Sequence, residues 1–175
     1  MYSSELCRAM TFLGLQPNTV FLGQAVAYPG TAMTGTLKDV HDYKKIEMPV
    51  AEEMQMGISI GLALAGFVPI TVYPRWNFLL LAVNQLVNHL DKLPIMSEYR
   101  PKVIIRTSVG SERPLHPQCQ HVGDFTDAFR LMLHTVDIIK LEKPEDIYTS
   151  YCYAYNRIDG KSTILVEYGD AYHEK

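Results

Sequence analysis

Short apolar runs alternate with longer stretches of mixed polarity along this chain, and the alternation predicts its elements. Val20–Gly23, Val68–Tyr73, Val103–Arg106, Val136–Ile139 and Thr163–Val166 are rich in β-branched residues and too short for helices, which predicts buried strands. Between them, helices are predicted over Ser4–Leu13, Glu52–Ala65, Arg75–Leu90, Asp124–Leu133 and Pro144–Asn156. Asp124 precedes one of these as a start signal, and Pro144 followed by Glu145 and Asp146 opens another. Strand and helix in alternation imply an α/β fold: a single three-layer domain with a mostly parallel central sheet and helices on both faces. In such sheets ligands sit beyond the carboxyl ends of the strands, which directs attention to the loops after Tyr73 and Arg106.

Composition narrows the class. The chain has 175 residues, 47% of them hydrophobic, enough for a core without disulfides or metals. Its 16 basic and 19 acidic residues are intermixed and give a net charge of -3, so nucleic acid is not an expected partner. Cys7, Cys119 and Cys152 are odd in number and far apart, which reads as reduced thiols in a cytoplasmic protein. Neither a signal-peptide pattern nor an apolar run of membrane-spanning length is present, so no membrane association is expected.

The chemistry-bearing pattern begins at Glu52, which is followed by Gly57-Ile58 and Gly61-Leu62. An acid in the first turn of a helix commonly does no more than complement the helix dipole. Glycine inside a helix, however, costs about 1 kcal/mol relative to alanine, and Gly57 and Gly61 with Ala65 form a stripe of small residues that lets another backbone approach. Spacing leaves open whether that neighbour belongs to this chain or to another subunit.

Phe78 begins a segment apolar on nearly every side, from Leu79 to Leu90, which implies burial on several sides or an oligomer interface. Phe78 itself is either core or an aromatic platform for a flat ring. His116, Cys119 and His121 form a His-x-x-Cys-x-His cluster, but structural zinc takes four ligands and no further pair stands at a familiar spacing. One of these histidines is the better candidate for handling protons near neutral pH. No Gly-x-Gly-x-x-Gly, P-loop or Gly-x-Ser-x-Gly motif occurs.

Glu52, Gly57-Ile58 and Gly61-Leu62 match the Glu-x4-Gly-apolar-x-x-Gly-apolar motif of the pyrimidine-binding domain of thiamine-diphosphate enzymes. The surrounding segment, Met48-Pro49-Val50-Ala51-Glu52 through Pro69-Ile70, resembles the β chain of the decarboxylating component of 2-oxoacid dehydrogenases, with Asn77-Phe78, Gln85, Asn88 and Gln120-His121 in register. Transketolase is a more distant likeness. The resemblance implies that Glu52 hydrogen-bonds the aminopyrimidine ring of thiamine diphosphate, that Phe78 stacks on that ring, that Val50 lines its pocket and that His121 faces the substrate. The family holds the diphosphate through Mg2+ on a Gly-Asp-Gly motif, which this chain lacks. The resemblance therefore implies a partner subunit that carries the motif and the metal, self-pairing of pyrimidine domains into a heterotetramer, and a small-molecule 2-oxo acid or ketose as substrate. The stretch 1–175 is expected to be a pyrimidine-binding domain standing alone, without diphosphate-binding or C-terminal domain. A non-catalytic partner-binding or regulatory module is the alternative.

Overall fold

The computed structural model describes residues 1–110 and 119–173. Six strands form one sheet: β1 (Thr19–Gly23), β2 (Lys45–Glu47), β3 (Val68–Val72), β4 (Ile104–Val109), β5 (Asp137–Lys140) and β6 (Thr163–Tyr168), in the order β2-β1-β3-β4-β6-β5. Every ladder among them is parallel, so the expectation of a mostly parallel sheet is met in full. Parallel strands need crossovers on both faces, and strands covered on both faces must be apolar on both, which is why β3 and β4 are buried at every position.

The pleat divides this apolar content between two cores. Ile104 and Leu165 point into one, with α1 (Tyr2–Leu15) and α7 (Pro144–Asn156), while Ile105, Ile164 and Val166 point into the other, with α3 (Glu52–Leu64) and α6 (Thr126–Met132). In α1 the buried residues Leu6, Met10, Leu13 and Ala9 recur at helical spacing, and Phe12 meets Tyr148 and Tyr155 of α7 edge to face. Each fully buried Leu or Ile contributes about 1.5–3 kcal/mol.

Several charged groups in the core are paired. Arg106 grips Glu167 with Nε at 2.7 Å from Oε1 and Nη2 at 3.0 Å from Oε2, and the hydroxyls of Tyr151 and Tyr172 donate to the same carboxylate. Asp91 accepts hydrogen bonds from the backbone of His134 (2.8 Å) and Thr135 (2.7 Å), tying the segment before β4 to the entrance of β5.

Two differences from the sequence expectation concern the site side of the molecule. β2 and the short helix α2 (Ala32–Gly35) were not expected, because β2 is only three residues long and holds a single apolar position, Ile46. The helix expected over Arg75–Leu90 is in fact a succession: α4 (Trp76–Leu79), a 3₁₀ turn (Leu80–Ala82) and a π-helical stretch (Asn84–Leu90), in which the Asp91 N–H reaches back five residues to the Leu86 carbonyl at 2.9 Å. Apolar residues on nearly every side fix no single 3.6-residue phase, so the segment adapts its winding to what it packs against. A further short helix, α5 (Leu93–Met96), follows it.

Candidate functional site

At the carboxyl ends of the strands lies a cavity of about 1000 Å3, walled by the turns that follow β1, β2, β3 and β4. Its formation starts at Gly23. A Cβ there would stand 2.5 Å from the Val72 carbonyl oxygen, so only glycine lets the end of β1 run this close to β3. The chain then turns outward through Gln24 and Ala25, and Ala25 has a left-handed φ of 53°. Glu47, at the end of β2, holds that turn: its carboxylate accepts the backbone N–H groups of Ala25 (2.6 Å), Val26 (3.0 Å) and Ala27 (2.8 Å). Charge-assisted bonds are stronger than neutral ones, and the three together offset the roughly 1–2 kcal/mol strain of a left-handed alanine.

Glu52 is the first residue of α3 and is 6% exposed. One turn later, Gln55 donates to Thr71 Oγ1 (2.8 Å) and to the Val72 carbonyl (3.0 Å), which locks the rotation of the helix against β3. Tyr73 donates its hydroxyl to the Glu52 backbone carbonyl at 3.2 Å. Burial above all, helped by the neighbouring Glu52 carboxylate, pushes that hydroxyl well above the ordinary tyrosine range, so it stays a donor. Among the described residues only Gln24 hydrogen-bonds the Glu52 side chain, donating to Oε1 at 3.3 Å, and Oε2 has no hydrogen-bond partner there. Glu53 instead faces Gln85 and Asn84, at 3.3 and 3.5 Å.

Phe78, Val50 and His121 all line the large cavity. The Phe78 and His121 rings lie 5.1 Å apart at 36°, and His121 Nδ1 is buried without a hydrogen-bond partner among the described residues. Asn77 Nδ2 donates to the Gln120 carbonyl at 3.3 Å, which ties the loop carrying His121 to α4. Beside Phe78, Trp76 is fully buried 4.8 Å from the Phe129 ring, its indole nitrogen without a hydrogen-bond partner among the described residues.

The sequence-derived residues thus divide between two hollows. Val50, Phe78 and His121 share the cavity, whereas Glu52 lines a neighbouring groove of about 750 Å3 with Gly57, Ile58, Leu81 and Gln85, and Gln24 joins the two. A Cβ placed on Gly57 or Gly61 meets nothing within 4 Å, so among the described residues no backbone packs closely on the small-residue stripe. His116 lies outside the described residues; Cys119 is an exposed free thiol. Gln24 and Glu47 were missed because their roles depend on the pairing of β1 with β2, though an amide directly after a strand-terminal glycine is the signal that could have singled out Gln24.

Thiamine diphosphate fits these residues in two respects. The buried Glu52 carboxylate has an oxygen unpartnered among the described residues that suits a ring nitrogen, and Phe78 and Val50 in the adjoining cavity suit a flat ring. Among the described residues no cluster of His, Cys, Asp or Glu is able to hold a metal ion, and no helix is long and apolar enough to cross a membrane.

Comparison with known proteins agrees with this geometry. No family model matches the chain. The β subunit of the pyruvate dehydrogenase E1 component from Cyanidium caldarium is 32% identical over 109 residues, 59% of this chain and 33% of that protein. The corresponding subunit from Gracilaria tenuistipitata var. liui is 35% identical over 100 residues, 54% of this chain and 31% of that one. The chain therefore spans about a third of the length of the curated relatives it matches. In fold it is similar to a split-gene transketolase solved as an inactive β4 tetramer (TM-score 0.73, 15% identity, 95% of this chain and 50% of that one) and to transketolase from Leishmania mexicana (TM-score 0.73, 15% identity, 94% and 24%). The resemblance to the pyrimidine-binding domain of thiamine-diphosphate enzymes thus holds in sequence and in fold.

Proposed function

We propose that this chain is the pyrimidine-binding subunit of a split thiamine-diphosphate enzyme that makes or breaks a carbon–carbon bond next to the carbonyl of a 2-oxo acid or ketose. The observation that carries the proposal is the buried Glu52 carboxylate at the head of α3, open on one oxygen and followed by two glycines that face away from the chain. When bound, thiamine diphosphate supplies a nucleophilic carbon and an electron sink for the cleaved bond. Glu52 would share a proton with the aminopyrimidine ring nitrogen of the bound cofactor, while Gln24 holds one oxygen of its carboxylate. Phe78 and Val50 give the ring an apolar bed that excludes water. His121, which lines the cavity, moves a proton at the reacting carbonyl oxygen.

The diphosphate and its Mg2+ fall to a separate subunit with a Gly-Asp-Gly motif, seated against the Gly57–Gly61 face, and pyrimidine domains pair with each other in a heterotetramer. On this proposal residues 1–175 form a pyrimidine-binding domain, and the free thiols suit a cytoplasmic setting. The test is reconstitution with the partner, thiamine diphosphate and magnesium. Calorimetry should detect weak cofactor binding to the chain alone and tight binding to the complex. Glu52→Gln should lower kcat by about 10²–10⁴-fold, the range for loss of a general acid–base group. Turnover unchanged in that variant refutes the role of Glu52.

A further inference from the structure

We infer that Arg75 is the substrate-anion receptor of this site, taking a carboxylate or a phosphate next to the carbonyl that reacts; the link to a reacting carbonyl rests on the function proposed above. The backbone around Arg75 is fixed from both sides. Ser108 Oγ donates to the Pro74 carbonyl at 2.6 Å, the Tyr73 N–H donates to the Arg106 carbonyl at 2.9 Å, and the Arg75 carbonyl accepts the Phe78 N–H at 3.0 Å as α4 begins. Arg75 lines the same cavity as His121 and as Phe78, which follows it by three residues.

The charges of the cavity wall leave Arg75 without an internal use. Among the described residues Glu47 is the one carboxylate on that wall, and its oxygens are taken by three backbone N–H groups. Every other described arginine has a partner: Arg8 with Glu5, Arg100 with the Ser97 carbonyl, Arg106 with Glu167, Arg130 with Asp127 and Arg157 with Asp137. Arg75 alone among them makes no hydrogen bond and no ion pair with a described residue, although it is half-buried. A guanidinium withdrawn from water and left unpaired is a cost to the fold unless an anion offsets it. Its planar fork suits a carboxylate or phosphate bidentately, and apolar walls strengthen that pairing by lowering the local dielectric. The site is therefore specific for charged carbonyl compounds, 2-oxo acids or phosphorylated ketoses, over neutral ones.

The full-length chain, its Arg75→Ala variant and its Arg75→Lys variant are titrated by NMR with pyruvate, with inorganic phosphate and with the neutral ketone hydroxyacetone. We expect the Ala variant to weaken at least one anion tenfold or more, the Lys variant to fall between, and hydroxyacetone binding to stay the same. Dependence confined to pyruvate identifies a carboxylate as the anion, and dependence confined to phosphate identifies a phosphate. If the wild type binds neither anion, or the Ala variant binds both as well as the wild type does, the inference is overturned. Unchanged thermal midpoints show that the variants are folded, as a residue without internal partners should allow. Since the titration needs neither cofactor nor partner, its failure leaves the Glu52 test untouched, and failure of the Glu52 test leaves the anion site standing.

Discussion

Single residues of this protein divide into those whose role follows from local sequence and those whose role exists only once strands pair. Glu52 belongs to the first kind, because a helix start and two glycines at fixed distances can be read without knowing the fold. Glu47 belongs to the second: nothing about an acid at the end of a three-residue strand announces that its carboxylate will hold the turn after a neighbouring strand. Its contribution is measurable. Glu47→Ala leaves the Ala25, Val26 and Ala27 N–H groups without their acceptor, and urea unfolding should report a loss of about 1–3 kcal/mol, with faster amide exchange confined to that turn. Val50, Phe78 and His121 were legible as candidates only through the family likeness, since by spacing alone an apolar residue, an aromatic and a loop histidine are ordinary.

Among elements, the long strands and the helices α1, α3, α6 and α7 were legible because their apolar content is either continuous or clearly periodic. The stretch from Trp76 to Leu90 was legible only as buried and helical, and its π-helical part is a product of packing that no phase in the sequence encodes. Asp91 ends that part, with a side chain shut off from solvent. Burial by itself raises the Asp91 carboxyl, but the Thr135 and His134 N–H groups and Lys92 outweigh it and hold it below its ordinary value of 3.8. A folded pKa below the unfolded one means that the carboxylate's stabilisation is complete above 3.8 and is lost as pH falls through the lower folded value. Wild-type stability should therefore decline on acidification through that window, and in Asp91→Asn the decline should be shallower from a lower starting point. An equally steep acid loss in both proteins would show that the carboxylate contributes nothing to it.

At the scale of the whole molecule, parallel strands bring the loops of distant sequence positions to one end, and the face bearing Gly57, Gly61, Met54, Ile58 and Leu81 is left open beside them. Alternation of strand and helix made the layered architecture legible, whereas the openness of that face depends on where every other element packs. Gly61→Ala fills only empty space in the isolated chain, so helix propensity predicts a gain of about 0.5–1 kcal/mol there, read by thermal or urea unfolding. Gly61→Leu, by contrast, should weaken assembly with the proposed diphosphate-binding subunit, read by sedimentation, while the isolated chain stays folded. Trp76 carries a different consequence. It is the chain's one tryptophan, sealed against Phe129 between Arg75 and Asn77, so all indole emission comes from beside the cavity. The unlabelled protein thus has a built-in optical reporter, and a change in that emission on adding a non-fluorescent ligand reports a change in the surroundings of Trp76, next in the chain to the cavity-lining Arg75.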